Sequence, residues 1–572
     1  MQTVSSANHP SANGQILMGA MKRDTNYTTM AFWSFAIIVF AAFMTRLLPL
    51  SMSPYPFNND SLSECGLASE IMTSGHLRFS SSSLWYGTHS GATPILNILL
   101  AYLASALGFN TFECAQVLDA VVAITTVGGV FLLGRLFSSS DGGAIASAFM
   151  ALMMGTFVFT TGSVWKEMLG IGLLILALYS FTRRAEMRYR ILTFAILMTM
   201  PLVHHLVTAA TILIFAYPLA WSWYLALANG SARKRHLADF VMIVVPIGWA
   251  GSYYSLASFD RLTMFSSPLK LFLLVSSFVL ISIFAVSIMS IKNHVRWSFA
   301  PLAGGGLLAL VLLDYLGFLF PYSPSASNFY ILLGICSAFL FGLSWYGTER
   351  ILEARPVYRA IQIALAVSPL SIIGFGMLQG FSLSSQQVLY RTFDFLDIFI
   401  FLGVAVAVVE LRIRHRRLYP ILASLMIISV MVSFPFGYAS ETLLGVRHDT
   451  QGYELDAVGW FARHSELPVL VSDERLGHVA NSTAGLTKYA SLPTDILQNN
   501  PIFYTNYYLV EDSWTTRGVN AFPYGKVVEP KVKFVKMIEA ANVFYLGGPF
   551  DDRATIFGGS FIGQNAVYGD KG

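Results

Sequence analysis

Asp60 and Glu64 stand four residues apart in a Pro- and Asn-rich stretch, SMSPYPFNNDSLSEC, just after the first long apolar run of the chain. On a helix that spacing puts two carboxylates on one face. Carboxylates at the rim of a helical bundle can accept a proton from a hydroxyl, attract a cation, or finish a helix end. Ser61-Leu62-Ser63-Glu64 fits a capping box, which accounts for Glu64 and leaves Asp60 surplus to the cap. Asp60 is therefore the candidate catalytic base.

Three other groups of polar residues interrupt apolar sequence. Lys166 and Glu167, in TTGSVWKEMLGIGLL, fall at the start of a span. An acid is favoured in a first helical turn and a lysine is not. They read either as a Trp-Lys-Glu anchor at headgroup depth or as a second carboxylate facing Asp60, with Lys166 pairing an anionic donor. His204 and His205 lie where one short span meets the next, and on a regular helix their rings would point about 100° apart. Together with Glu167 and Glu64 they are candidates for orienting an acceptor or holding a divalent ion such as magnesium or manganese. Arg391, in SSQQVLYRTFDFLDIF, precedes a span beside Gln386, Gln387 and Tyr390. Its planar donors suit phosphate oxygens, although it could also snorkel to headgroups or pair with Asp394. Asp314, inside GLLALVLLDYLGFLF, is an intramembrane acid of the kind a carrier uses for coupling.

The elements that must position these residues are membrane helices. Of the 572 residues 55% are hydrophobic and only 12% charged, about half the charge of an ordinary soluble domain. A net charge of +4 with scattered basic links gives no nucleic-acid surface, and three cysteines give no disulfide framework or thiolate metal site. No phosphate-cradling glycine loop, zinc helix or nucleophile elbow is present. Residues 1–28 read as a flexible tail without a signal peptide's apolar core.

Apolar runs near 30–50, 115–136, 143–161, 167–182, 191–203, 206–227, 237–256, 270–291, 298–320, 328–346, 358–379, 395–411 and 420–437 predict about thirteen transmembrane helices. The basic links RRAEMRYR, RKRH, KNHVR, RILEARPVYR and RIRHRR fall on one side with Lys22 and Arg23 only if the run 93–107 does not cross. That run is then a surface or dipping helix within a first external loop, 51–114. The N-terminus is cytoplasmic, and the first loop, 162–166, His204-His205 and 380–394 all face outward. So does the tail, 438–572, where YELDAVGWFARH, LPVLVSD and VKFVKMIEAANVFYLGG alternate helical and strand patterns, predicting a small α/β domain.

In this order the pieces resemble the GT-C superfamily of integral-membrane glycosyltransferases. The resemblance covers most of residues 29–437: an acid early in the first external loop (Asp60), a membrane-surface helix with a Gly-terminated turn (THSGATPILNILLAYLASALGF), charges in the second external link (Lys166, Glu167) and a late basic residue (Arg391). The segment ELDAVGWFARHSELPVLVSD resembles the tail of archaeal members, with a helix leading to a strand that ends at Asp473. The resemblance implies a polyprenyl (dolichyl-type) phosphate sugar donor, a lipid or protein acceptor, and a site facing the outer leaflet of a cell membrane. Asp60 would act as base of an inverting transfer, with Arg391 and Lys166 on the donor phosphate. The chain has neither the Trp-Trp-Asp motif of oligosaccharyltransferases nor a DxD-type pair, which points to transfer of single sugars and leaves metal dependence open. The alternatives are a transporter or lipid flippase using Asp314, and a non-catalytic scaffold for cell-surface assembly.

Overall fold

The computed structural model describes residues 25–77, 93–228, 233–256, 268–290, 299–316, 328–353, 356–378, 383–438, 449–465 and shorter stretches between 469 and 558. Its helices in chain order are α1 (Thr25–Leu47), α2 (Asn59–Ser74), α3 (Ile95–Leu107), α4 (Thr111–Ser138), α5 (Asp141–Met153), α6 (Gly155–Gly162), α7 (Lys166–Thr182), α8 (Met187–Val203) and α9 (His205–Ala228). They continue with α10 (Arg233–Leu256), α11 (Pro268–Ser290), α12 (Phe299–Tyr315), α13 (Asn328–Glu353), α14 (Pro356–Leu378), α15 (Leu383–Arg414) and α16 (Tyr419–Ser433). Each predicted apolar run is helical over its described residues, apart from the break at Met154. By length and composition seven of the described helices can each cross a membrane, or eight if α5 and α6 make one bent span. The chain is an α-helical, multi-pass membrane protein.

The bundle is built inside-out relative to a soluble protein. Phe32, Trp33, Ile37 and Phe40 of α1 are exposed, as lipid-facing residues are, while small residues let the inner helices approach. At the α13–α15 crossing a Cβ on Gly347 would lie 1.8 Å from the Gly403 carbonyl oxygen, so only glycine fits.

One predicted span departs from a straight helix. The run 143–161 is two helices, α5 and α6, meeting at Met154 with a bend of 65°. A bend frees backbone carbonyls that lipid cannot satisfy. Arg46, fully buried at the end of α1, takes them: its guanidinium donates to Leu152 O at 2.9 Å, Ala151 O at 3.2 Å and the Thr161 hydroxyl at 2.7 Å. Asp119 of α4, also without exposure, supplies a nearby negative charge.

The run 93–107 forms α3, at 13 residues about 20 Å long and too short for a hydrocarbon core of about 30 Å. Its Leu100, Ala101 and Ala104 pack on Cys65 and Ala68 of α2 instead.

After the bundle come α17 (Gly452–His464), β1 (Val469–Val471), α18 (Glu474–Ala484), β2 (Thr487–Tyr489), β3 (Tyr507–Glu511), β4 (Val519–Ala521), β5 (Lys526–Val528), β6 (Asn542–Gly547) and β7 (Ala554–Gly558). Five strands make one sheet in the order β2-β1-β3-β7-β6, parallel among the first three and antiparallel thereafter, while β4 and β5 pair separately. Asp473 caps α18, its side chain accepting from Leu476 N at 2.7 Å. Inside the domain Arg475 is paired with Glu454 and Glu511; burial alone would lower its pKa, and the two acids raise it instead. Helix α18 lies against α2. The Ser63 and Ser482 hydroxyls are 2.8 Å apart, and a Cβ on Gly66 would come within 2.8 Å of Ser482 O. Leu62 of α2 joins the sheet's own core. The first loop and the tail therefore share one face of the bundle.

Replacing Arg46 by Met should strand the α5 carbonyls and Asp119, costing about 3–5 kcal/mol. Thermal unfolding of the detergent-solubilised chain should show a large drop in midpoint, partly recovered when Asp119→Leu is added. An unchanged midpoint would show that the bend holds without Arg46.

Candidate active site

The first loop reaches its place through Gln116. This fully buried α4 side chain accepts from Phe57 N at 3.1 Å and donates to Arg46 O at 2.7 Å and Gly162 O at 3.1 Å. One amide thus ties the loop before Asp60 to the end of α1 and the end of α6. The next residue but one past Phe57 starts α2, and the turn between them is strained. Asn58 has φ 82° and ψ 138°, a region few residues other than glycine occupy. It is held there by accepting from Asp60 N at 3.1 Å and by a 3.4 Å contact with the Ser163 hydroxyl. Asn58, not Ser61, is the cap of α2. The capping box expected at Ser61 and Glu64 does not form, because the helix starts three residues earlier and the Ser61 hydroxyl bonds Phe57 O.

Freed from the cap, Glu64 turns inward. Its Oε2 accepts from Asn97 of α3 at 2.6 Å and lies 3.4 Å from Lys166 Nζ, which also donates to the Thr93 hydroxyl at 3.1 Å. Burial pushes the Glu64 carboxyl above its ordinary 4.5, against the pull of Lys166 and Asn97. The pair joins α2, α3 and α7. Trp165, Lys166 and Glu167 are all buried, so they are not the headgroup anchor that their composition suggested. The Trp165 indole N–H donates to Thr160 O at 2.7 Å.

Arg391, in the N-terminal part of α15, reaches both remaining acids. Its Nη1 is 3.3 Å from Glu167 Oε1 and its Nη2 is 4.0 Å from Asp60 Oδ2, while its Cζ lies 5.5 Å from the Trp165 ring centroid. Asp394 turns away to accept from Thr160 at 2.8 Å, and Asp397 accepts likewise from Thr156. His204 stands at a break between α8 and α9 in extended conformation, φ −161° and ψ 130°. The break overturns the expected divergence of the two rings: His204 and His205 are 4.6 Å apart. Nδ1 of His204 accepts from Val207 N at 3.4 Å, which leaves its proton on Nε2, 3.6 Å from Glu167 Oε1. Both Glu167 oxygens are buried and make no hydrogen bond among the described residues.

The arrangement brings Asp60, Glu167, Arg391 and His204 to one point, with Lys166 and Glu64 one layer behind. The structure describes the backbone but not the side chains of Gln386, Gln387, Tyr390 and Asp314. Among the described residues no three His, Cys, Asp or Glu side chains are placed to hold a metal together, and the Arg391 guanidinium stands between the two carboxylates. This donor set, as placed, does not fit a divalent ion. Sequence reasoning missed Gln116, Asn97 and Arg46. Each is a polar side chain in apolar surroundings, a signal that was present but unpaired.

No family model and no curated protein matches the chain. Solved structures do. The archaeal oligosaccharyltransferase AglB from Archaeoglobus fulgidus, in complex with an inhibitory peptide and a dolichol-phosphate, matches with TM-score 0.52 and 12% identity over 92% of this chain and 74% of its own. The apo form of the same oligosaccharyltransferase matches equally. The arabinofuranosyltransferase AftD from Mycobacteria has TM-score 0.48 and 14% identity over 92% of this chain and 40% of its own. At these identities the likeness is one of fold.

Gln116→Leu should leave Phe57 N and two carbonyls without partners, at about 1–3 kcal/mol for each group stranded. Its unfolding midpoint should fall well below that of wild type; equal midpoints would remove Gln116 as the tie. Glu64 gives a pH signature. Its raised folded pKa means its contribution to stability is full below pH 4.5 and is lost as pH climbs through the raised value. Glu64→Gln should flatten the fall in unfolding midpoint above pH 4.5, and an identical slope in both proteins would contradict the assignment.

Proposed function

We propose that this chain is a membrane glycosyltransferase that moves a sugar from a polyprenyl-phosphate donor to a hydroxyl-bearing acceptor at the outer face of a cell membrane. The observation that carries the reading is the convergence of Asp60, Glu167 and Arg391, contributed by three segments far apart in sequence. A carboxylate beside a fixed guanidinium, at the rim of an apolar bundle, suits a reaction that takes one proton and releases one phosphate. The dolichol-phosphate and peptide named with the AglB structure support a polyprenyl carrier and an external acceptor.

In this reading the donor's isoprenoid tail lies along the lipid-facing helices and its phosphate meets Arg391, whose paired donors match phosphate oxygens. The acceptor oxygen bonds to the anomeric carbon while its proton passes to Asp60, and the bond from that carbon to the phosphate oxygen breaks. The leaving phosphate keeps the electron pair, and Arg391 stabilises its charge. A single displacement inverts the anomeric configuration. Glu167 holds Arg391 in place from its buried side, and His204 holds Glu167. Lys166 acts at one remove, through Glu64. The basic links put the N-terminus in the cytoplasm and the site and C-terminal domain outside.

Asp60→Asn keeps the shape and removes the base. Transfer from a labelled polyprenyl-phosphate sugar by the purified chain should fall at least ~100-fold, with donor binding retained. Arg391→Ala should mainly weaken donor binding, and Arg391→Lys should restore part of it by charge without the fork. Near-wild-type turnover of the Asp60 variant, or unchanged donor affinity without Arg391, would sink the respective role.

A further inference from the structure

The basic segments of the chain differ in how their charges are paired. Arg135 lies 2.8 Å from Asp141, Arg188 lies 2.6 Å from Glu186, and Asp239 draws both Arg184 at 3.1 Å and Arg190 at 3.7 Å. Arg183 lies over the Tyr179 and Tyr189 rings, its Cζ 5.1 and 5.6 Å from their centroids. Those cations are occupied within the fold.

The turn that joins α15 to α16 is different. RIRHRR, at 412–417, places four guanidiniums within six residues, and Glu410 is the only acid between Asp397 and Glu441. Glu410 already faces two arginines, Arg350 at 3.1 Å and Arg414. Arg412, Arg416 and Arg417 are exposed and form no ion pair among the described residues. The turn that presents them is closed by its own backbone. His415 N donates to Leu411 O at 2.8 Å, and Leu418 N and Tyr419 N both donate to His415 O at 2.9 Å. Like charges held this close repel one another, and an anion bound among them relieves the repulsion.

Apolar neighbours decide which kind of anion fits. Ile413 and Leu418 are exposed on the turn itself, and Ile421 and Leu425 continue the exposed apolar surface at three- and four-residue spacing along α16. In a multi-pass membrane protein such residues face acyl chains, and arginines beside them reach the headgroups. A soluble anion complements the guanidiniums alone. A lipid with an anionic headgroup complements both the guanidiniums and the apolar flank.

We infer that the α15–α16 turn is a binding site for anionic phospholipid, held by its headgroup phosphate on the arginines and by its acyl chains on the apolar flank. The site lies about 30 Å along α15 from Arg391, so it is separate from the candidate active site and does not depend on the transferase reading.

The test is native mass spectrometry of the full detergent-solubilised chain, titrated with phosphatidylglycerol or phosphatidylcholine. Phosphatidylglycerol should add saturably and at least about tenfold more tightly. Arg416→Gln with Arg417→Gln should weaken it at least about fivefold, with an unchanged unfolding midpoint. Lysine at both positions should keep most of the affinity, since the charge remains. Arg135→Gln with Arg188→Gln removes the same charge from paired positions and should leave binding as in wild type. Equal affinity for the two lipids overturns the site, and so does an equal effect of the two glutamine pairs. Sodium phosphate should displace the lipid no better than sodium chloride of equal ionic strength. Selective displacement by phosphate would overturn lipid as the occupant.

Discussion

The buried guanidinium of Arg46 is the contact from which the face of the bundle that carries the candidate site is built. A helix that bends by 65° inside the bundle exposes carbonyls in a medium with no water to bind them. Arg46 gathers those carbonyls and one threonine of the second segment into a single donor fan. Because the bend is stable, α6 ends where Gly162 O can meet Gln116, and the chain turns into Trp165 with Lys166 and Glu167 facing inward. Asp119 of α4 lies within electrostatic reach of the guanidinium.

From that clamp the candidate site is assembled by groups that touch no reacting atom. Gln116 locates the loop, Asn58 accepts backbone strain to turn it into α2, and Trp165 fastens the end of α6 while giving Arg391 a surface to lie against. The acids then fall into two kinds. Glu64 and Lys166 satisfy each other away from the centre, whereas Asp60 and Glu167 both face Arg391. Two carboxylates face one fixed cation there, so a binding step for an anionic donor must rearrange those pairs.

The helices were legible because apolar length is a strong, local signal. The resemblance to GT-C enzymes rested on Asp60, the Lys166-Glu167 link and Arg391, and the fold brings those residues to one face. What stayed hidden depended on backbone geometry. Met154 splits a run whose hydropathy is uniform, and while the span boundary at His204 was legible, the extended conformation that brings its ring beside that of His205 was not. Ser61 to Glu64 matched a capping pattern, but Asn58 supplied a competing cap three residues earlier, and burial against Asn97 recruited Glu64 elsewhere. Periodicity cannot see such competition, since both outcomes satisfy the same local rule.

The contact between Ser63 and Ser482 joins residues 419 positions apart. A ribosome makes α2 long before α18 exists, so the helix that carries Asp60 waits through the insertion of nearly every other helix for the surface that completes it. Maturation of this protein is thus timed by its own C-terminus. A chain truncated within the bundle would present Leu62 and the glycine face of α2 to water, a feature that quality control can read, and the candidate site would acquire its final support only once the whole polypeptide had arrived.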